Sequence, residues 1–283
     1  MKRVVLSCTH SSTYDFFLPI SARIWKKRVG YEPIIFLVGQ KSEWERGHRQ
    51  VVLNEIGSQV EFVGRVPGIP DSNIAMSVRQ HAAALPWVNG SDLIMVGDVD
   101  LLPIRKLFYH QHDPAEFYIA IYHADMYWDK YWPAYGPSMT ADTWVEVMGL
   151  EKGDLSGSLL KTFREGKIEE LISANKRDHH DSRLWVFDEQ YTSVRIRLSR
   201  FSESILRIRT DDTNERLCRN RWPVKVDASR FIDFHCQRPG WTDSNWSKIR
   251  GVLAQVIPTE LPWLDRYVDA YRKSGPSEKD PFA

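Results

Sequence analysis

Two carboxylates, Asp98 and Asp100, stand two residues apart after the apolar run 93–97. In an extended segment residues i and i+2 point to the same side, so both acids are expected to face one way. At that spacing they repel unless a cation or hydrogen-bond donors lie between them. Hard divalent ions such as Mn²⁺ and Mg²⁺ take oxygen ligands and bridge readily to substrate phosphates. The pair is therefore expected to hold a metal that binds a diphosphate; the alternative is a solvated turn with two exposed acids. His235 ends a second apolar run, 231–234. A neutral imidazole there suits a third metal-ligand position. Asp188 and Glu189 are adjacent and open a helical stretch, where their charge also suits the helix dipole. The cluster His179-His180-Asp181 has metal-binding residue types, but adjacent side chains on an irregular stretch rarely converge on one ion.

Acids at the end of a buried strand need a sheet to carry them. Apolar runs at 4–8, 33–38, 60–66 and 93–97 alternate with amphipathic stretches at 16–27 and 42–56 and with a helix capped by Asn73 and running through Leu85. Strand and helix in alternation imply βαβ units and a mostly parallel sheet. Runs that are continuously apolar imply burial on both faces. Ligands of such sheets bind outside the carboxyl ends of the strands, which is where Asp98 falls. Beyond residue 103 the spacing predicts a strand at 117–123 and an aromatic loop at 127–135. Helices follow at 140–148, 168–175 and 188–198, the last with Tyr191, Val194 and Leu198 on one side. A short strand at 231–235 precedes two amphipathic helices, one carrying Trp246, Ile249, Leu253 and Val256, the other Leu264, Tyr267, Val268 and Tyr271. The expected class is α/β, a Rossmann-type mixed sheet flanked by helices.

The 283 residues include 38 basic and 37 acidic side chains, a net charge of +1, which argues against a broad nucleic-acid surface. Cys8, Cys218 and Cys236 are too scattered for a disulfide framework or a zinc site, and fit a reducing compartment. No run approaches the roughly 18 apolar residues of a membrane helix. The first apolar stretch is too short for a signal peptide, so a cytoplasmic location is expected. The 11 tryptophans admit two explanations, a Trp-rich core or flat plates for a ring-shaped ligand. In the second, Trp128 and Trp132 in the 127–135 loop are platforms for that ligand; in the first, that loop is anchored by buried aromatics.

The phrase Asp92-Leu-Ile-Met-Val-Gly-Asp98-Val99-Asp100-Leu-Leu-Pro, after about a hundred residues of βαβ, resembles the GT-A class of nucleotide-sugar glycosyltransferases. That resemblance implies a single domain: a nucleotide-sugar-binding half at 1–103, an acceptor and catalytic half at 104–273, and a flexible tail at 274–283. It implies that Asp100 is a direct metal ligand, and that Asp98 shares the metal or contacts the sugar and ribose beside Val99. It implies that Ser7, Cys8, Thr9, His10 and Tyr14 cradle the base, and that Arg79 faces the donor. His235 is similar to the late-strand histidine of several such enzymes. One retaining subgroup continues His-x-x-Gly-x-x-Lys-Pro-Trp, whereas this chain reads His-Cys-Gln-Arg-Pro-Gly-Trp, with Arg238 in place of the lysine as phosphate partner. By the same resemblance Asp188 and Glu189 are catalytic, as a base toward the acceptor hydroxyl or in stabilising or attacking the reacting sugar. The leading expectation is a metal-dependent hexosyl- or pentosyltransferase that uses Mn²⁺ or Mg²⁺. It moves a sugar from a nucleotide diphosphate sugar, UDP-linked foremost, to a hydroxyl of a glycan or glycoconjugate. The alternatives are a sugar-binding module, and an Asp-x-Asp phosphohydrolase, which normally carries its pair on the first strand.

Overall fold

The four apolar runs of the first hundred residues pair as parallel strands, β1 (Lys2–Cys8), β2 (Glu32–Val38), β3 (Gln59–Val63) and β4 (Leu93–Val96). The computed structural model describes residues 1–126, 130–177, 182–210, 215–223 and 225–276. After β5 (Leu101–Pro103) come β6 (Ile119–Tyr122), β7 (Pro137–Thr140), β8 (Ile205–Ile208), β9 (Glu215–Leu217) and β10 (Phe231–His235). One sheet has the order β3-β2-β1-β4-β7-β6-β8. Its first four strands are parallel, β7 runs antiparallel to both β4 and β6, and β8 is parallel to β6. The sheet is therefore mixed and flanked by helices. The chain leaves β1 toward β2 on one side and returns to β4 on the other, so the strand order reverses at β1.

Both faces of β1, β2 and β4 are buried, which is why these strands read as unbroken apolar runs, while the edge strand β3 is only partly buried. Val4, Leu6, Ile35 and Leu37 enter one core, and Val5, Ile34, Phe36 and Val38 the other. Helices Asp243–Val256 and Leu261–Lys273 close the first core with the residues their periodicity singles out. Tyr267 and Tyr271 carry their hydroxyls into it, where these donate to Phe16 O at 2.8 Å and to Asp15 Oδ1 at 2.6 Å.

Several elements depart from the periodicity. The 42–56 helix is two, Lys41–Trp44 and Gly47–Glu55, broken so that the Trp44 indole can bury itself and donate to Val38 O. Asn73 does not cap its helix. That helix, Asp71–Val78, begins after Pro70 and tightens into a 3-10 turn over Arg79–Ala84. Asn73 is buried and donates to Leu184 O at 2.8 Å. The helix Phe187–Leu198 turns the opposite face inward from the one expected: Leu198 is 80% exposed and Val194 51%, while Asp188, Glu189, Thr192 and Ser193 are buried. An unexpected helix, Leu155–Glu165, is capped by the Asp154 carboxylate, which accepts from Gly157 N. No helix among the described residues is long and apolar enough to cross a membrane.

A second, three-stranded sheet, β5-β10-β9, stands at the carboxyl end of β4. Gly97 makes this exit possible. A Cβ there would lie 2.9 Å from Val4 Cγ2 and 3.0 Å from Leu6 Cδ2, inside the packed face of β1. Gly97→Ala is expected to lower stability by about 1–3 kcal/mol, the usual effect of overpacking, read as a lower urea midpoint with an unchanged denaturant slope.

Candidate active site

A cavity of about 300 Å³ opens where the carboxyl ends of β1 and β4 meet the three-stranded sheet. β1 and the turn after it deliver Ser7, Cys8, Thr9 and Tyr14 to its wall; the residues after β4 deliver Asp98, Val99 and Asp100. Arg79, Asp188, Glu189, His235 and Arg238 line it as well. Two sequence-selected residues do not. His10 stacks on Trp44, with ring centroids 6.1 Å apart, and contacts Arg65. Trp132 is 3% exposed; its backbone N–H donates to Ser193 Oγ, and the guanidiniums of Arg197 and Arg207 flank its ring at 5.0 and 5.7 Å. It anchors the aromatic loop instead of offering a platform to a ligand, and Ala134 and Tyr135 show the loop to the cavity. Trp128 and the His179-His180-Asp181 cluster lie outside the described residues.

Asp98 and Asp100 do not act as a pair on one strand face. β4 ends at Val96, and a turn closes from Leu101 N to Asp98 O, so the alternation of an extended chain no longer applies. Each acid finds its own counter-charge. Asp98 meets Arg79, whose guanidinium is buried in the cavity wall. The same guanidinium donates to Asp188 Oδ2 at 3.2 Å and to Gly97 O at 3.0 Å, and Nε donates to Met76 O. Arg79 thus joins the end of β4 to the start of the Phe187–Leu198 helix. Burial would lower its pKa, but Asp98 and Asp188 together raise it.

Asp100 is held by the second sheet. β5 pairs antiparallel with β10, placing His235 opposite Leu101, and Cys236 N donates to Asp100 O at 2.8 Å. This brings His235 Nε2 to 3.4 Å from Asp100 Oδ2. Arg219 Nη2 donates to the same oxygen at 3.0 Å and also contacts His235 Nε2. Arg238 Nε is 3.5 Å from it, with the guanidinium over the Tyr14 ring. Burial would raise the Asp100 carboxyl, yet His235 and Arg219 outweigh it and keep the group below the usual carboxylate range.

At the other end of the cavity the carboxyls move upward. Burial pushes Asp188 above its ordinary value; Arg79 opposes the push and Asp98 adds to it. Glu189 is pushed up to about 8, by burial first and by neighbouring Asp188 next, although Ala134 N donates to its Oε1. At neutral pH Glu189 therefore carries its proton.

Sequence reasoning passed over Arg216, Arg219, Tyr135 and Trp185, all in the cavity wall. The arginines follow from β9, a strand too short to show periodicity; the density of arginine from 216 to 221 was the available signal. Arg216 donates to Asp233 Oδ1 at 2.8 Å and to the Tyr135 hydroxyl at 2.7 Å. Burial would raise Asp233, but Arg216 and His123 hold it well below the carboxylate range. Trp185 stands at the mouth, 56% exposed.

No protein-family description and no curated protein sequence matches the chain. Among solved structures it is similar to the galactosyltransferase LgtC in complex with donor and acceptor sugar analogues, at 10% identity over 96% of each chain, TM-score 0.46. It is similar to the glycosyltransferase GlyE of Streptococcus pneumoniae TIGR4, at 13% identity over 95% of this chain and 64% of that one, TM-score 0.47. Mouse xyloside xylosyltransferase 1 shares 13% identity over 83% of this chain and 97% of that one, TM-score 0.42.

The raised Glu189 pKa has a consequence for stability. An unfolded glutamate releases its proton near pH ~4.3, whereas the folded one keeps it until about 8. Between those values the folded state binds the extra proton, so this group's contribution is complete below the window and is lost as pH rises through it. Glu189→Gln keeps the shape and removes the titration. Its stability relative to the parent is expected to rise steadily across the window and level off above it, measured by urea denaturation of both proteins. A constant difference would show that Glu189 is not shifted.

Proposed function

We propose that the chain is a GT-A-type glycosyltransferase that takes a sugar from a nucleotide diphosphate sugar, UDP-linked foremost, and passes it to a hydroxyl of a glycan or glycoconjugate. One observation carries this reading. A single cavity at the strand-order reversal has an end where one buried carboxylate, Asp100, meets His235, Arg219 and Arg238, and a protonated-acid end, Glu189 beside Asp188 and Arg79. In open α/β sheets this reversal is where nucleotides bind. The β1 end, with Ser7, Thr9 and Tyr14, supports the base and ribose. Arg238 suits the diphosphate, because a planar guanidinium matches phosphate geometry.

The donor set fits a divalent cation in part. Asp100 Oδ2 and His235 Nε2 face each other at 3.4 Å, close to the spacing of neighbouring ligands on one small ion. Asp98, expected as a third ligand, is turned to Arg79, and among the described residues no three His, Cys, Asp or Glu side chains converge as a metal cage. Two protein ligands with substrate phosphates completing the shell is a common arrangement for Mg²⁺-like ions. Asp100 and His235 would hold such an ion, and when bound it would stabilise charge on the leaving diphosphate. The chain's own groups do the rest. Arg79 fixes Asp98 and Asp188 against the reacting sugar, and Trp185 and Tyr135 border the acceptor side. Glu189 enters as a hydrogen-bond donor.

UDP with Mn²⁺ is expected to raise the melting temperature, by an amount equivalent to about 2.7 kcal/mol at a hundredfold excess over Kd, and Asp100→Asn to abolish the rise. No stabilisation by any nucleotide with Mn²⁺ would sink the reading, and stabilisation by free sugar alone would favour a sugar-binding module. Turnover is expected to fall as pH rises through about 8, as Glu189 loses its proton. Glu189→Gln should remove that limb and lose far less than the roughly 10²–10⁴-fold of a missing general base. A larger loss would make Glu189 the base.

A further inference from the structure

Four arginines reach the cavity, and they are not held alike. Arg79 is fixed by two carboxylates and two carbonyl groups, and Arg216 by Asp233 and Tyr135, both guanidiniums being buried. Arg238 lies over Tyr14, with its Nε 3.5 Å from Asp100 Oδ2, farther than Arg219 Nη2 at 3.0 Å. Arg219 extends from the short turn Arg219–Arg221, its side chain is partly exposed, and its guanidinium has one carboxylate partner among the described residues, Asp100.

The same nitrogen, Nη2, meets both Asp100 Oδ2 and His235 Nε2. Asp100 Oδ2 and His235 Nε2 are the two atoms that would hold a metal ion, and Arg219 Nη2 is seated against both. Arg219 and a divalent cation are therefore alternatives at one position. The buried Asp100 carboxylate needs a positive neighbour whichever of them is present, because an uncompensated buried charge is strongly destabilising.

We propose that Arg219 is a resident counter-cation. It neutralises Asp100 and satisfies His235 when no metal is bound, and it turns to a phosphate of the nucleotide when the metal takes its place. The exchange replaces one positive charge beside Asp100 by two and moves one guanidinium onto an anion whose geometry it matches. Arg219 is thereby a positioning residue that couples the two ligands: nucleotide draws it off the metal position, and metal frees it for nucleotide. The inference rests on the metal-dependent reading above.

Calorimetric titration of Mn²⁺ into the parent and into Arg219→Gln, each with and without UDP, tests it. Arg219→Gln is expected to bind Mn²⁺ alone about tenfold more tightly than the parent, the equivalent of one charge-assisted hydrogen bond. It should bind UDP more weakly, and UDP should enhance Mn²⁺ affinity less in the variant than in the parent. Unchanged or weaker Mn²⁺ binding by a variant with parental circular dichroism, while the parent binds UDP and Mn²⁺, overturns the proposal and leaves the function standing. Binding of UDP by the parent with no Mn²⁺ uptake in any arm overturns the metal reading itself. Should Arg219→Gln not fold, Arg219→Lys takes its place, with a smaller gain expected because its single ammonium remains near Asp100.

Discussion

Two carboxylates in a cavity wall repel each other unless a cation lies between them, and Arg79 is that cation for Asp98 and Asp188. The bridge spans the molecule. Asp98 belongs to the loop leaving the parallel sheet, Asp188 opens a helix about ninety residues later, and Arg79 comes from the 3-10 turn between β3 and β4. Removing one partner from such a buried arrangement typically destabilises by about 3–5 kcal/mol, because the others are left without compensation. The inward face of the helix Phe187–Leu198 carries Asp188, Glu189, Thr192 and Ser193 together with the core residues Phe187 and Ile196, while Val194 and Leu198 are left in solvent. The ion bridge and the packing of Phe187 and Ile196 favour the same rotation of the helix.

The second sheet does for Asp100 what Arg79 does for Asp98. β5 has only three residues, and its worth lies in register: pairing with β10 sets His235 beside Asp100 and lets Cys236 N close on Asp100 O. β9, on the far side of β10, brings up Arg216 and is followed by Arg219. A short sheet between two long connections is therefore what gathers the positive groups at one end of the cavity. The two ends are chemically opposite as a result. One lowers the carboxyl of Asp100, and the other raises those of Asp188 and Glu189. Environments that push acids apart in this way separate an ion-binding role from a proton-carrying one.

The parallel half of the fold was legible because its strands are buried on both faces and its helices have apolar stripes, both of which leave a periodic trace. The same holds for the two C-terminal helices, whose apolar stripes from Trp246 to Tyr271 enter the core. The equally short β4 and β6 are continuous apolar runs of four, whereas β7, β8 and β9 carry polar residues and β5 has only three residues, so these four were invisible, and with them Arg216 and Arg219. Most of the candidate residues do meet in one cavity, because residue type and position at strand ends carry chemistry even where pairing cannot be read. His10 and Trp132 do not, each claimed by a neighbour of its own: Trp44 and Arg65 in one case, Ser193 and two arginines in the other. An aromatic residue in a loop has no sequence mark that separates a platform from an anchor.

The Asp-x-Asp segment shows most directly how local geometry redirects a motif. On a continuing strand the two acids would share a face and, through mutual repulsion, a ligand. Here the strand stops at Val96, Gly97 passes close over Val4 and Leu6, and the turn to Leu101 sends Asp98 toward Arg79 and Asp100 toward Arg219 and His235. Their repulsion is offset by Arg79 on one side and by Arg219 and Arg238 on the other. Each acid thus has its counter-charge within the cavity wall. A diphosphate accepted there brings new positive charge with it or takes over a guanidinium that already serves a carboxylate. Of the guanidiniums that serve the Asp-x-Asp pair, Arg79 is locked by four partners, whereas Arg219 has two and stands where a cation would enter.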